Sequence, residues 1–161
     1  METPDLAALV PGLLARYPQF AWRIASGHAE DEVLLVELHP RTRPERVATI
    51  RVNPHGEVYF LSFGGHEAGP EFAYEDEDKR EVFEDLVKDA VALATGPTRV
   101  KRHAVDGVEV SSSLVIDPDG PNRRSLGVSV SHPITYLKAR LRGRGTTEEV
   151  IDFPSIEDEW L

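Results

Sequence analysis

Apolar positions near the start of the chain recur at helical spacing: Leu6, Leu9, Val10, Leu13, Leu14 and Tyr17. Thr3, Pro4 and Asp5 stand before them in the order suited to an N-cap, a first helical position and a first turn. Pro11 lies inside the pattern and removes a backbone donor, so a kinked helix or two short ones is expected, ended by Pro18. The period then drops to two. Phe20, Trp22 and Ile24 alternate with Ala21, Arg23 and Ala25, and a polar loop from Ser26 to Glu32 leads into a strand over Val33–Leu38. Val47–Val52 and Val58–Phe63 flank Asn53-Pro54-His55-Gly56, a turn signal that makes them a hairpin. Gly64 to Pro70, with three glycines, reads as a flexible exit.

The helical period returns over Asp76–Thr95, where Val82, Phe83, Leu86, Val87, Ala90, Val91 and Ala94 form one apolar stripe. Gly96 and Pro97 close it. A second hairpin joins Arg99–Val105 to Val108–Ile116 through Asp106-Gly107. Val108, Val110, Ser112, Leu114 and Ile116 share one of its faces, leaving Glu109, Ser111 and Ser113 on the other. Leu126, Val128 and Val130 alternate in a further strand, Pro133–Arg142 reads as a helix in preference to a strand, and Glu149–Phe153 as a last short strand before Pro154.

Adjacent hairpins and one apolar helix face predict an α+β fold. The expected form is two layers, a mainly antiparallel sheet of about 6–7 strands covered by the N-terminal helical segment and the long amphipathic helix over 76–95. At 161 residues the chain is expected to be a single domain, large enough to bury about 68–70% of its unfolded surface.

Charge divides this domain into three blocks. Residues 1–97 hold 9 bases and 18 acids, residues 98–144 hold 9 bases and 4 acids, and residues 145–161 hold 6 acids and no base. The densest acidic run is Glu75, Asp76, Glu77 and Asp78, continued by Glu81, Glu84, Asp85 and Asp89. The densest basic run is Lys138, Arg140, Arg142 and Arg144, preceded by Arg123 and Arg124. An acidic helix face is ordinarily a solvated face, and the bases are expected to pair with the acidic tail. The sharper expectation is that Glu75, Asp76, Glu77, Asp78, Glu81, Glu84 and Asp85 steer a basic partner.

The absence of cysteine excludes disulfide frameworks, thiolate metal sites and a Cys nucleophile. No P-loop, G-x-G-x-x-G, H-E-x-x-H, calcium loop or G-x-S-x-G is present. No cofactor and no metal site is therefore expected. The histidines have no ligand-like spacing; the most site-like pair is His66-Glu67, which marks an alternative small-molecule pocket or enzyme site between sheet and helices. His132 beside Ser131 reads as a chance pairing. A formal net charge of −10 argues against direct nucleic-acid binding despite the basic block. No apolar run reaches membrane-helix length, and the acidic start is unlike a secretion signal, so a cytoplasmic location is expected. Most aromatics, Phe72 among them, fall at expected core positions. Trp160 is expected to dock on its own domain.

In size, acidity, lack of cysteine and α+β pattern the chain resembles, in general character, bacterial toxin-neutralising immunity proteins and small secretion chaperones. The resemblance implies a non-catalytic protein-binding module, an inhibitor or chaperone of a basic partner. A structural subunit of a homo-oligomer is the further alternative.

Overall fold

The computed structural model describes residues 3–26, 34–130, 134, 137–138, 141 and 146–156. The α+β class and the antiparallel pairing hold, but the strands divide between two sheets where one of about 6–7 strands was expected. Helix α1 (Thr3–Leu14) runs on through Pro11 as one helix. Strands β1 (Phe20–Ser26), β2 (Leu34–Pro40), β3 (Ala48–Val52), β4 (Val58–Phe63) and β5 (His66–Glu67) follow one another in the first sheet, and β6 (Glu71–Phe72) also pairs with β4. Helix α2 (Asp76–Thr95) then leads to β7 (Thr98–Val105), β8 (Val108–Ile116), β9 (Arg124–Val130) and β10 (Thr146–Phe153), which form a second sheet in the order β10-β7-β8-β9.

The first sheet is built by strict alternation. Leu34, Val36 and Leu38 of β2, Ala48, Ile50 and Val52 of β3, and Tyr59, Leu61 and Phe63 of β4 all point to one buried face. Against that face α2 lays Phe83, Leu86, Val87, Ala90, Leu93 and Ala94. Leu6, Val10, Leu13 and Leu14 of α1 join the same core, as do Val100, Leu114 and Ile116 of the second sheet. One core therefore serves both sheets. Gly96 ends α2 with φ +70, and its N–H bonds to the Ala92 carbonyl at 2.9 Å. A side chain there would meet the Pro154 carbonyl oxygen at 2.7 Å, so glycine is required on two counts.

The segment expected to be a flexible exit is instead ordered. Gly64 and Gly65 both take positive φ (+57 and +76), the requirement of a two-residue hairpin turn, and pair Phe63 with His66. In β8 the expected polar face is only partly open to solvent: Glu109 is exposed and Ser113 half-buried, but Ser111 is buried, while Val108 on the expected apolar face is exposed. β8 is an inner strand between β7 and β9, and the pairing register with β9 shifts between Ser113 and Val115. Ile134, Leu137, Lys138 and Leu141 are helical, as favoured for that segment, and exposed. The short final strand extends back to Thr146. After it Ile156 is buried, its N–H bonded to the Thr95 carbonyl, so the chain lies along the domain. Ser131, His132 and Trp160 lie outside the described residues.

Candidate functional site

The apolar stripe of α2 fixes which way its charges face. With Phe83, Leu86, Val87 and Ala90 turned to the sheet, Glu75, Asp76, Glu77, Asp78, Glu81 and Asp85 are exposed and Glu84 is half-buried. The acids at the N-terminal end sit where the helix macrodipole favours them. Arg80 bonds Glu84 at 3.0 Å, and Lys88 bonds Asp85 at 2.6 Å. Lys79, the remaining base of α2, is buried and donates to the His55 carbonyl at 3.2 Å. The acids around Glu77 and Glu81 thus exceed the bases beside them. A shallow depression of about 270 Å³ over this face is lined by Glu77, Arg80, Glu81, Glu84, Asp85 and Lys88, all from one helix, so it is a charged surface and not a cleft between elements.

Just before α2 in the chain stand two exposed aromatics. Phe72 is 57% and Tyr74 66% exposed, on either side of the buried Ala73. Phe72 was expected in the core. It is exposed because β6 is a two-residue strand with β4 as its pairing partner, and Ala73, whose N–H bonds to the Glu57 carbonyl, takes the inward position instead.

A true cleft of about 170 Å³ opens where α2, the segment before β6, and β9 meet. Tyr59, Leu61, Leu86 and Leu126 give it apolar walls, and Glu71, Asp89 and Ser125 add polar groups. Asp89 was expected to point outward with the other helix acids, but it is buried. Its carboxylate pairs with the Arg124 guanidinium, which reaches over from β9. Burial raises the Asp89 pKa above the ordinary aspartate value, opposed by Arg124. Glu71 is raised too, by burial first and then by the negative charges of Asp89 and Asp85. Burial, with Glu57 nearby, pushes the Tyr59 phenol up to about 12, and its hydroxyl donates to the Gly56 carbonyl at 2.6 Å.

His66 and Glu67 do not form one site. As neighbours on a strand they point to opposite faces. Glu67 is exposed and pairs with Arg51 at 2.7 Å, and Arg51 stacks on the Phe60 ring. His66 is 1% exposed, its Nδ1 2.6 Å from the Ser112 hydroxyl, which ties β5 in the first sheet to β8 in the second. Its Nε2 is buried without a hydrogen bond among the described residues. Arg102, nearby, donates to the Gly64 carbonyl at 2.6 Å. Burial lowers the His66 pKa, with Glu109 opposing and Arg102 adding to the effect. His66 and Ser112 thus form a buried seam between the two sheets.

The cleft residues were readable in part. Asp89 lies three residues after Leu86 and four before Leu93, a carboxylate in register with the apolar stripe. Glu71 and Arg124 carry no such local signal, since long-range folding alone brings them to α2. Among the described residues no group of three or more His, Asp or Glu side chains is arranged to hold a metal ion. No described helix is long and apolar enough to cross a membrane. No family model, curated protein or solved structure matches this chain.

Proposed function

We propose that the protein is a non-catalytic binding module for a basic protein partner, of the inhibitor or chaperone kind, which it meets with the outer face of α2 and the β6–α2 junction. The observation that carries this reading is the exposure of Tyr74, with Phe72 two residues before it, directly ahead in the chain of the exposed acids Glu75, Asp76, Glu77, Asp78 and Glu81. Tyrosine is enriched among the residues that dominate interface energetics, and an aromatic face also attracts lysine and arginine. The surrounding carboxylates would raise the association rate with a basic partner and discriminate against acidic ones. The core side of α2 holds this surface rigid, so little ordering entropy opposes docking. The acidic N-terminal block and the lack of cysteine favour the cytoplasm as the setting.

The test is to identify the protein that co-purifies with the chain from its native cell and to measure their association at two ionic strengths. Tyr74→Ala should raise the Kd at least tenfold, mostly through faster dissociation. Reversing Glu77, Glu81 and Glu84 together should slow association at low salt. Rates unchanged by both variants would sink the proposal.

Self-association is a second reading, favoured by Ile134, Leu137 and Leu141. These helical residues are 68%, 58% and 78% exposed at positions that share one helix face. A mass in solution above 17.9 kDa that Leu137→Asp returns to the monomer would support it.

A further inference from the structure

We propose that the seam between the two sheets is an acid-released latch, in which protonation of His66 lifts β5 and its Gly64-Gly65 turn away from β8 while α2 and the rest of the first sheet stay folded. β5 is only two residues long and pairs with β4 through Ser62 and Phe63. Hydrogen bonds tie this small hairpin to the second sheet: His66 Nδ1 lies 2.6 Å from the Ser112 hydroxyl, and Arg102 donates to the Gly64 carbonyl at 2.6 Å. Neutral and charged imidazole fare differently in that place. Either neutral tautomer can share a hydrogen bond with Ser112 at Nδ1, because a hydroxyl both donates and accepts. The imidazolium carries two N–H donors, and the one at Nε2 would be buried with no acceptor among the described residues.

The charges around His66 come from three strands. Arg102 of β7 sets a cation at the seam, and it pairs with Glu109 of β8 at 3.8 Å and Glu149 of β10 at 3.6 Å. Glu109 draws a proton toward His66, whereas burial, the largest effect, and Arg102 oppose it. β4 adds no charge at Ser62 and Phe63, and Glu67 is turned to the opposite face against Arg51. Outward movement of the ring hydrates the imidazolium and removes the largest of these penalties. Gly64 and Gly65 before β5 and Gly69 after it supply pivots for that movement. Elsewhere the sheets are joined by groups that do not titrate. Phe63 packs edge-on against Phe153 with ring centroids 4.8 Å apart, and the Ile156 N–H bonds to the Thr95 carbonyl at 2.9 Å. Acid therefore opens one end of the seam and leaves the other shut.

Hydrogen exchange of the full chain, followed residue by residue by NMR and corrected for intrinsic exchange, tests the latch. If His66 must swing out to bind its proton, opening grows by up to about tenfold for each pH unit below about 6.5. The Ala68 amide bonds to the Leu61 carbonyl at 2.8 Å, directly after β5. It should lose protection about tenfold between about pH 7.5 and 5.5, in step with titration of the His66 ring resonances. The amides of Ala90 in α2 and of Ile156 should keep theirs. Ring titration without a change at Ala68 would mean that His66 takes up its proton in place. Equal losses at Ala68, Ala90 and Ile156 would mean global unfolding, and a ring that does not titrate in this range would leave the latch without a trigger; each of these results overturns it. His66→Gln should hold Ala68 protection constant over the range, and a persisting pH dependence would assign it to another group. Ser112→Ala leaves every titratable group in place and should lower Ala68 protection at about pH 7.5 without affecting Ala90; no change would show that Ser112 does not hold the latch shut. Should His66→Gln fail to fold, the joint titration of the ring and Ala68 in the unsubstituted chain still decides the matter.

Discussion

The acids of α2 and the acids of β10 look alike along the chain, and they meet different neighbours in the fold. β10 lies antiparallel to the basic strand β7, which sets Asp152 opposite Arg99, Glu149 opposite Arg102 and Glu148 opposite His103. The resulting contacts measure 2.6, 3.6 and 3.6 Å. Arg99 also reaches Asp119 at 2.9 Å, and hydrogen bonds from both carboxylates raise its pKa still further. Strand pairing thus matches each acid with a base that lies far away in sequence. On α2 the near neighbours are other members of the same helix, and Arg80 and Lys88 take up Glu84 and Asp85. Glu75, Glu77, Asp78 and Glu81 have no cation among the described residues. An acidic run stays unmatched when its secondary structure turns it to solvent without supplying counter-charges.

The contrast requires a rigid α2, and the largest expected effect comes from removing its anchor. Phe83 is fully buried against the first sheet, so Phe83→Ala should cost about 3–5 kcal/mol and Leu86→Ala about 2–5. Chemical denaturation reads both. Costs under about 1 kcal/mol would mean that α2 is loosely held and that its acids have no fixed geometry to contrast with β10.

The sheet carrying α2 and the sheet carrying β10 meet at His66 and Ser112, and this seam can be probed by mutation and by pH. Ser112→Ala removes the partner of His66 Nδ1 and should cost about 1–3 kcal/mol, the penalty for a buried polar group left unsatisfied. Since burial lowers the folded His66 pKa, the unfolded chain takes up a proton near pH 6.5 that the folded chain refuses. The contribution of His66 is therefore complete above about pH 6.5 and is lost as pH falls toward the depressed folded value. Asp89 and Glu71, raised in the fold, work in the opposite sense: from their unfolded values upward, rising pH costs stability. The His66 contribution to stability should fall as pH drops below about 6.5, and His66→Gln should flatten that slope. A slope unaltered by the substitution would remove His66 as its source.

Next in size is the kinetic difference between the two acidic runs. Reversing Glu77, Glu81 and Glu84 should slow association with the basic partner at least tenfold at low ionic strength, equivalent to about 1.4 kcal/mol. Reversing Glu148 and Glu149 should leave that rate within about twofold and lower the melting temperature instead, because those acids answer to β7. A rate equally sensitive to both would mean that net charge alone steers the partner, with no patch on α2.

Local pattern carried most of the elements into view. The bounds of α2 follow from its stripe and its Gly96-Pro97 stop, and the β7–β8 turn from Asp106-Gly107, both with positive φ. The hairpin at Gly64-Gly65 was just as local a signal, but three glycines close together read more readily as a flexible segment. Division into two sheets was not legible, because alternation says which residues share a face and not which strands share a sheet. The proposed partner face was visible as charge, whereas the exposed aromatics before it were not: Phe72 is apolar and strand-like, and its exposure depends on how short β6 is. The cleft was least legible of all, assembled from Tyr59, Glu71, Asp89 and Ser125 across four parts of the chain.

The smallest effect should come from the ion pairs themselves, and its salt dependence separates the two regions most finely. Asp152 is 57% exposed and Arg99 24%, so this pair is partly screened by solvent. Asp152→Asn should cost about 0.2–1 kcal/mol at low salt, and less near 1 M, where the Debye length shrinks to about 3 Å. Glu77→Gln on α2 faces opposing terms. It gives up a favourable interaction with the helix N-terminus of about 0.3–1 kcal/mol, and it relieves repulsion from Glu75, Asp76, Asp78 and Glu81. The net change should stay within about 0.5 kcal/mol. Salt screens attraction at Asp152 and repulsion among the acids of α2, so added salt should weaken the β10 contribution while easing the crowding on α2. Urea melts of both variants at low and high salt measure the two trends. Parallel trends would show that the acids of α2 are as well matched by bases as those of β10, and that the electrostatic case for a partner face on α2 is mistaken.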